Sequence, residues 1–228
     1  MNGLVIGAGE VGKSLFNVLK EHYPTSLVDM SPPDMDDVEI LHIAFPFSDN
    51  FVKYVKDYQE KYKPKYTVIH SSVPVGTSEQ CGATHSPIRG LHPNLESGIK
   101  TFVKFIGGPE ASQVADYFRR AGLRVALFDK AATTEAMKLF DTLYFGVCIE
   151  FAKDVKRYCD ANGLNYSDVY RLGNSTYNEG YTLLGHPEFV RPVLEPILKK
   201  IGGHCVRQNA ELIDTKFTRL LKELNETD

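Results

Sequence analysis

A chain of 228 residues, 43% hydrophobic and 24% charged, can bury a substantial core in one large domain or two modest ones without covalent staples. A formal net charge of -3 and the absence of any Lys/Arg-rich block exclude general attraction to a nucleic-acid backbone. No run approaches the roughly 18 consecutive apolar residues of a membrane span, the N-terminus has no basic or cleavable leader, and Cys81, Cys148, Cys159 and Cys205 lack paired spacing, so a cytoplasmic protein is expected.

Short β-branched runs alternate with helical stretches up to about residue 130. The runs predict strands over 3–6, 26–29, 39–45, 66–72, 103–107 and 124–128, joined by helices over 10–21, 48–62 and 109–121. That alternation is the mark of an α/β protein with a doubly wound parallel sheet of the Rossmann type, placed here at residues 1–130. From Ala131 the period changes: Phe140, Leu143, Tyr144, Val147, Phe151, Val155 and Tyr158 draw one apolar stripe down a long helix that ends at Asn162-Gly163. The stripe is read as core or as a dimer seam. A second helix starts at Asn165 or Ser167, a Pro-punctuated stretch runs from His186 to Pro196, and a Gly202-Gly203 turn precedes a last amphipathic helix from about Asn209. Residues 131–228 thus form a smaller all-helical domain with a long central helix.

Gly7-Ala8-Gly9-Glu10-Val11-Gly12 stands between the first strand and the first helix. The first glycine permits a tight turn, the second lets backbone approach a pyrophosphate, and the third lets helix and strand pack closely. The free N–H groups at the helix start then face phosphate. Asp29 closes the second strand, where a carboxylate accepts hydrogen bonds from ribose hydroxyls and repels a 2′-phosphate. NAD is therefore expected rather than NADP, held by Gly7, Gly9, Glu10, Val11, Gly12 and Asp29, with Pro46 and Ser71 lining the same site. No HxxxH or CxxC spacing supports a metal site.

Three further motifs narrow the reading. Ser71-Ser72-Val73-Pro74-Val75-Gly76-Thr77 follows the strand over 66–72, Glu135-Ala136-Met137-Lys138-Leu139-Phe140-Asp141-Thr142 opens the long helix, and Gly202-Gly203-His204-Cys205 precedes the last helix. In their type and order these resemble the UDP-glucose/GDP-mannose dehydrogenase family, whose members carry an S-T-V-P-x-G-T strand end, an E-L-x-K-L-x-x-N helix and a G-G-x-C turn. The resemblance spans nearly the whole chain. It implies a two-step, NAD-dependent oxidation of a sugar primary alcohol, through an aldehyde captured on a cysteine thiolate, to a carboxylate. By position, Cys205 is the implied nucleophile, Lys138 its electrostatic partner, and Ser72 stands for a threonine that positions water. Asn209 falls where the family has aspartate, Thr142 where it has asparagine, and Glu96 is matched to an essential glutamate.

The resemblance also implies that the chain stops before a third, UDP-binding domain. Three functions stay open: a nucleotide-sugar or sugar dehydrogenase, a one-step hydroxyacid dehydrogenase (the Gly90-Leu91-His92-Pro93 segment is also similar to prephenate-type enzymes), and a non-catalytic NAD-binding paralogue. The expected partners are a small-molecule substrate, a sugar or nucleotide sugar, and a second copy of the chain. Arg191 is read as a contact to phosphate, to a neighbouring subunit, or to solvent alone.

Overall fold

The computed structural model describes every residue except Met30, Pro32, Gly202, Gly203, Thr227 and Asp228, and every side chain besides these except those of His204 and Cys205. Strands β1 (Gly3–Ile6), β2 (Thr25–Val28), β3 (Ile40–Ile43), β4 (Tyr66–Ile69), β5 (Thr84–His85), β6 (Lys104–Gly107) and β7 (Val125–Phe128) form one sheet in the order β2-β1-β3-β4-β5-β6-β7. The first five run parallel, β6 opposes β5, and β7 follows β6. The six runs expected as strands are all present, and the sheet is mostly rather than wholly parallel. β5 was not expected; two residues offer no alternation to read.

Strand alternation sends side chains to two apolar layers. Ile40 and Val68 meet Leu15 and Val18 of α1 (Glu10–Leu19), Ile99 of α4 (Leu95–Thr101), and Val114 and Phe118 of α5 (Ala111–Arg120). Leu4, Ile6, Leu41, Ile43 and Ile69 meet Phe51, Val55 and Tyr58 of α2 (Phe51–Tyr62) on the other face. One short helix, α3 (Thr77–Gln80), follows β4, and neither it nor α4 is long enough to announce itself by periodicity.

The first layer also holds charge-bearing groups. His70 Nδ1 lies 2.6 Å from the Ser86 carbonyl, His42 Nδ1 lies 3.0 Å from His70 Nε2, and His42 Nε2 lies 3.4 Å from the Tyr117 hydroxyl. One assignment satisfies all three: His70 donates to Ser86, His42 donates to His70, and Tyr117 donates to His42, with both rings neutral. Burial, with the nearby Lys104 ammonium, pushes His42 down to about 3 and His70 well below the usual histidine range. Lys104 donates to the Ser86 carbonyl at 3.1 Å, and burial lowers it to about 7.

The chain divides into two compact units, Met1–Leu139 and Phe140–Asp228, and the division falls inside α6 (Ala131–Ala161). Among the described residues the regular elements of the second unit are helical: the remainder of α6, a wide helical turn over Ser167–Leu172, α7 (Gly173–Leu183), a single turn over Pro187–Phe189, α8 (His204–Glu211) and α9 (Lys216–Glu226). Gly146 lets α8 and α9 close on α6, since a Cβ there would lie 2.7 Å from Val206 and 2.9 Å from Leu221 side-chain carbons.

Two expectations need correction here. The last amphipathic run is two helices, broken between Glu211 and Lys216. Thr215 supplies the reason: its Oγ1 accepts from Thr218 N at 3.1 Å while Thr215 N donates to Thr218 Oγ1 at 2.7 Å, a reciprocal cap that starts α9. The apolar stripe of α6 is also not one face. Leu143 is buried, whereas Tyr144, Phe151 and Tyr158, spaced seven apart, are 64%, 61% and 62% exposed. Spacings of three and four occur on both sides of a helix this long, so periodicity alone merged two faces into one.

Candidate functional site

Register places the ends of four parallel strands level: Ile6 pairs with Val28 on one side and Ile43 on the other, and Ile43 pairs with Ile69. The residues that follow these ends are Gly7, Asp29, Ala44 to Pro46, and His70 to Ser72. Five residues expected to hold a cofactor from different parts of the chain, Gly7, Gly9, Asp29, Pro46 and Ser71, are thereby gathered at one edge of the sheet. Between β1 and β3 the chain reverses its direction of winding, the place where open α/β sheets leave a crevice for ligands.

The three glycines have three different reasons. Gly7 has φ +110°, and a Cβ there would sit 2.7 Å from the Ala44 carbonyl carbon. At Gly12 a Cβ would come within 1.8 Å of the Gly7 oxygen, so helix and strand can approach only without one. Gly9, the N-cap of α1, has an ordinary φ of -73°, no capping side chain, and no heavy atom within 4 Å of a built Cβ. Nothing in the chain itself asks for glycine at that point. The start of α1 therefore offers backbone N–H groups to open space, a shape and polarity that can receive a pyrophosphate. Glu10 turns its carboxylate to His92 Nδ1 at 2.7 Å, which ties the loop before α4 to the start of α1.

Ser71, buried, donates its hydroxyl to the Phe45 carbonyl at 2.6 Å and so locks the ends of β3 and β4 together. Ser72 beside it is half-buried. Two residues with no role assigned from sequence meet this segment. Glu135, in the first turns of α6, accepts hydrogen bonds from Gly76 N at 2.6 Å and Ser78 N at 2.8 Å. His85, fully buried at the end of β5, reaches the Ser71 carbonyl at 3.2 Å and Thr134 Oγ1 at 2.8 Å. Lys138 is half-buried, one turn beyond Glu135. The sequence signal for Glu135 was present in the motif containing Lys138, but an acid near a helix start is ordinarily a solvated one.

Glu96 is apart from the strand ends. It lies in α4 and accepts a hydrogen bond from Asn17, near the far end of α1 from the glycine turn. In the second unit, Asn209 Nδ2 donates to Thr142 Oγ1 at 3.0 Å. Both departures from the family motif thus meet each other across 67 residues of sequence. Cys205 belongs to α8, while its side chain and the Gly202-Gly203 turn lie outside the described residues. Burial pushes the Cys81 thiol up to about 11, which removes it as a nucleophile near neutrality. Arg191 stacks on Tyr177, 3.5 Å from guanidinium carbon to ring centre. Among the described residues no group of His, Cys, Asp or Glu could hold a metal ion, and no helix is long and apolar enough to cross a membrane.

Sheet order, helices on both faces and a glycine turn at the switch point define a Rossmann-type fold followed by a helical unit. The same architecture occurs in solved dehydrogenases. The UDP-D-ManNAc dehydrogenase of Pyrococcus horikoshii superposes with a TM-score of 0.76 at 17% identity, covering 99% of this chain and 68% of that one. The 3-hydroxyisobutyrate dehydrogenase of Mycobacterium tuberculosis gives 0.73 at 10% identity, covering 99% of this chain and 92% of its own. In sequence, the chain is 24% identical over 175 residues to a UDP-N-acetyl-D-mannosamine dehydrogenase of Methanococcus maripaludis, which covers 70% of this chain. The chain spans 38% of the length of that relative. No protein-family model matches.

Proposed function

We propose that the chain binds NAD across the carboxyl ends of β1 to β4 and acts as a dehydrogenase on a nucleotide sugar or a related sugar alcohol. Gly9 carries this reading: a glycine that neither its backbone angles nor its neighbours require stands at a helix start, where a ligand's pyrophosphate would need the space. Asp29, at the end of β2, accepts hydrogen bonds from the adenosine ribose. NAD, when bound, supplies the acceptor for hydride.

The chain's own groups do the rest. Lys138 stabilises negative charge on the reacting oxygen, and Cys205 adds to an aldehyde as a thiohemiacetal, which loses hydride to the bound acceptor to become a thioester; water positioned by Ser72 hydrolyses that thioester to a carboxylate and the free thiol. The amide of Asn209, paired with Thr142, cannot serve as a base at neutral pH, so any proton leaving the cysteine or water goes to another group. Glu96, engaged with Asn17, supports α1 in this scheme rather than the reacting atoms. The similarity to nucleotide-sugar dehydrogenases in sequence and fold supports the substrate class. Cysteine usage favours the cytoplasm, and the exposed ring row on α6 favours a homodimer.

A second reading, one-step oxidation of a hydroxyacid with no part for Cys205, is favoured by the 92% coverage of 3-hydroxyisobutyrate dehydrogenase. Stoichiometry separates the two. With a panel of UDP- and GDP-sugars and hydroxyacids, alcohol-to-carboxylate oxidation reduces two NAD per substrate, and Cys205→Ala abolishes the second reduction. One NAD per substrate, unaffected by Cys205→Ala, would establish the hydroxyacid reading. Cofactor binding without turnover on any substrate would leave an NAD-binding paralogue.

A further inference from the structure

The proposed reaction gives work to Ser72 and Lys138 but none to the buried side chains that join the segments bearing them. Glu135 is 1% exposed, and each of its carboxylate oxygens takes one backbone hydrogen bond, Oε2 from Gly76 and Oε1 from Ser78. A buried carboxylate is a costly way to satisfy two loop amides, which water or a threonine hydroxyl could serve equally well on the surface. What it adds is a two-point grip. His85 makes a second, independent tie. Its Nε2 faces the Ser71 carbonyl and must donate, so in a neutral ring Nδ1 accepts from the Thr134 hydroxyl. Burial holds that ring neutral, lowering it to about 3. Thr134 and Glu135 are consecutive in α6, and Lys138 follows one helical turn later.

We propose that Glu135 is a positioning residue, whose carboxylate clamps the segment from Ser71 to Ser78 onto the helix that carries Lys138, with His85 as a second brace. The inference rests on the dehydrogenase reading and deepens it. The clamp keeps the Ser72 hydroxyl and the Lys138 ammonium in one rigid frame, since a misplacement of about 1 Å in such a pair can cost roughly 100-fold in rate. The coenzyme side stands apart from the Glu135 grip: Gly7 and Gly12 pack closely against Ala44 and each other, and Ser71 keeps its own hydroxyl bond to the Phe45 carbonyl. Removing the grip should therefore cost turnover and not coenzyme affinity.

The test uses the full chain with Glu135→Gln, which keeps one acceptor oxygen, and Glu135→Ala, which keeps none. Amide hydrogen exchange at Gly76 and Ser78 should rise roughly tenfold or more in the alanine variant and less in the glutamine variant. Exchange over Gly7 to Gly12 and the NAD affinity should stay within about threefold, while kcat per folded molecule falls roughly 10- to 100-fold, in the same order. Faster exchange with unchanged kcat would reduce Glu135 to a structural cap and overturn the inference. Unchanged exchange in both variants would overturn it directly. If the wild-type chain takes up no NAD, the dehydrogenase reading and the clamp fall together; if it turns over substrate and both variants match it, the clamp alone falls.

Discussion

The two units of the chain spend their apolar side chains differently. In Met1–Leu139 the sheet is covered on both faces, and the core is so complete that three histidines and a lysine are buried and satisfied inside it. In Phe140–Asp228 the buried clusters are small, and the rings of Tyr144, Phe151 and Tyr158 remain largely exposed along α6. The second unit holds a row of aromatic side chains that its own residues do not cover, a surface of the kind that association buries.

The sharpest break within the first unit compares two glycines three residues apart. Gly12→Val drives a branched side chain into the Gly7 oxygen and should destabilise the unit by about 4 kcal/mol or more, seen as insoluble protein or a collapsed thermal transition. A Cβ at Gly9 has no heavy atom within 4 Å, so Gly9→Val should melt with the wild type, yet calorimetry should register no NAD binding. A stable Gly9→Val variant with unchanged NAD affinity would remove the coenzyme site.

Adjacent positions on α6 make the same comparison in the second unit. Leu143→Ala empties a buried position and should cost about 2–5 kcal/mol in denaturant unfolding. Tyr144→Ala, one residue on, should change monomer stability by about 0.5 kcal/mol or less while shifting self-association measured by light scattering. Equal losses of stability would mean that both side chains belong to one core.

The last comparison is graded by pH rather than by substitution. His42 and His85 are lowered to about 3 by burial, and His70 is lowered as well, so on unfolding each takes up a proton below the ordinary histidine value of 6.5. The histidine contribution to stability is therefore intact above pH 6.5 and is lost as pH falls toward 3, by about 1.4 kcal/mol per pH unit for each histidine that stays neutral. Lys104, lowered from 10.5 to about 7, acts in the same direction at higher pH, weakening the fold as pH drops from 10.5 to 7. A melting temperature that is flat between pH 7.5 and 5 would contradict the neutral, fully paired histidine chain.

Much of this was legible in the residues. The β-branched runs located six of the strands, and the glycine turn was placed by its position between the first strand and helix. Thr84-His85 and Thr77 to Gln80 were illegible because two to four residues carry no period. The cap at Thr215 is hidden in the sequence because the apolar spacing of Leu212, Ile213 and Phe217 reads smoothly through it. Glu135 and His85 were illegible as partners: their bonds go to backbone atoms of Gly76, Ser78 and Ser71, which leave no mark in side-chain patterning.

By itself the sequence determined what depends on neighbouring residues: the alternation of strand and helix, the turn that only glycine permits, and the length of α6. These follow from local sterics and periodicity, which act over a few residues. Tertiary structure alone decided the reversed direction of β6 and β7, which side of α6 stays uncovered, the meeting of Asn209 with Thr142, and the burial of Glu135 and the histidines. Each of these depends on which distant group arrives to fill a space or accept a hydrogen bond, and that is settled only when the layers close.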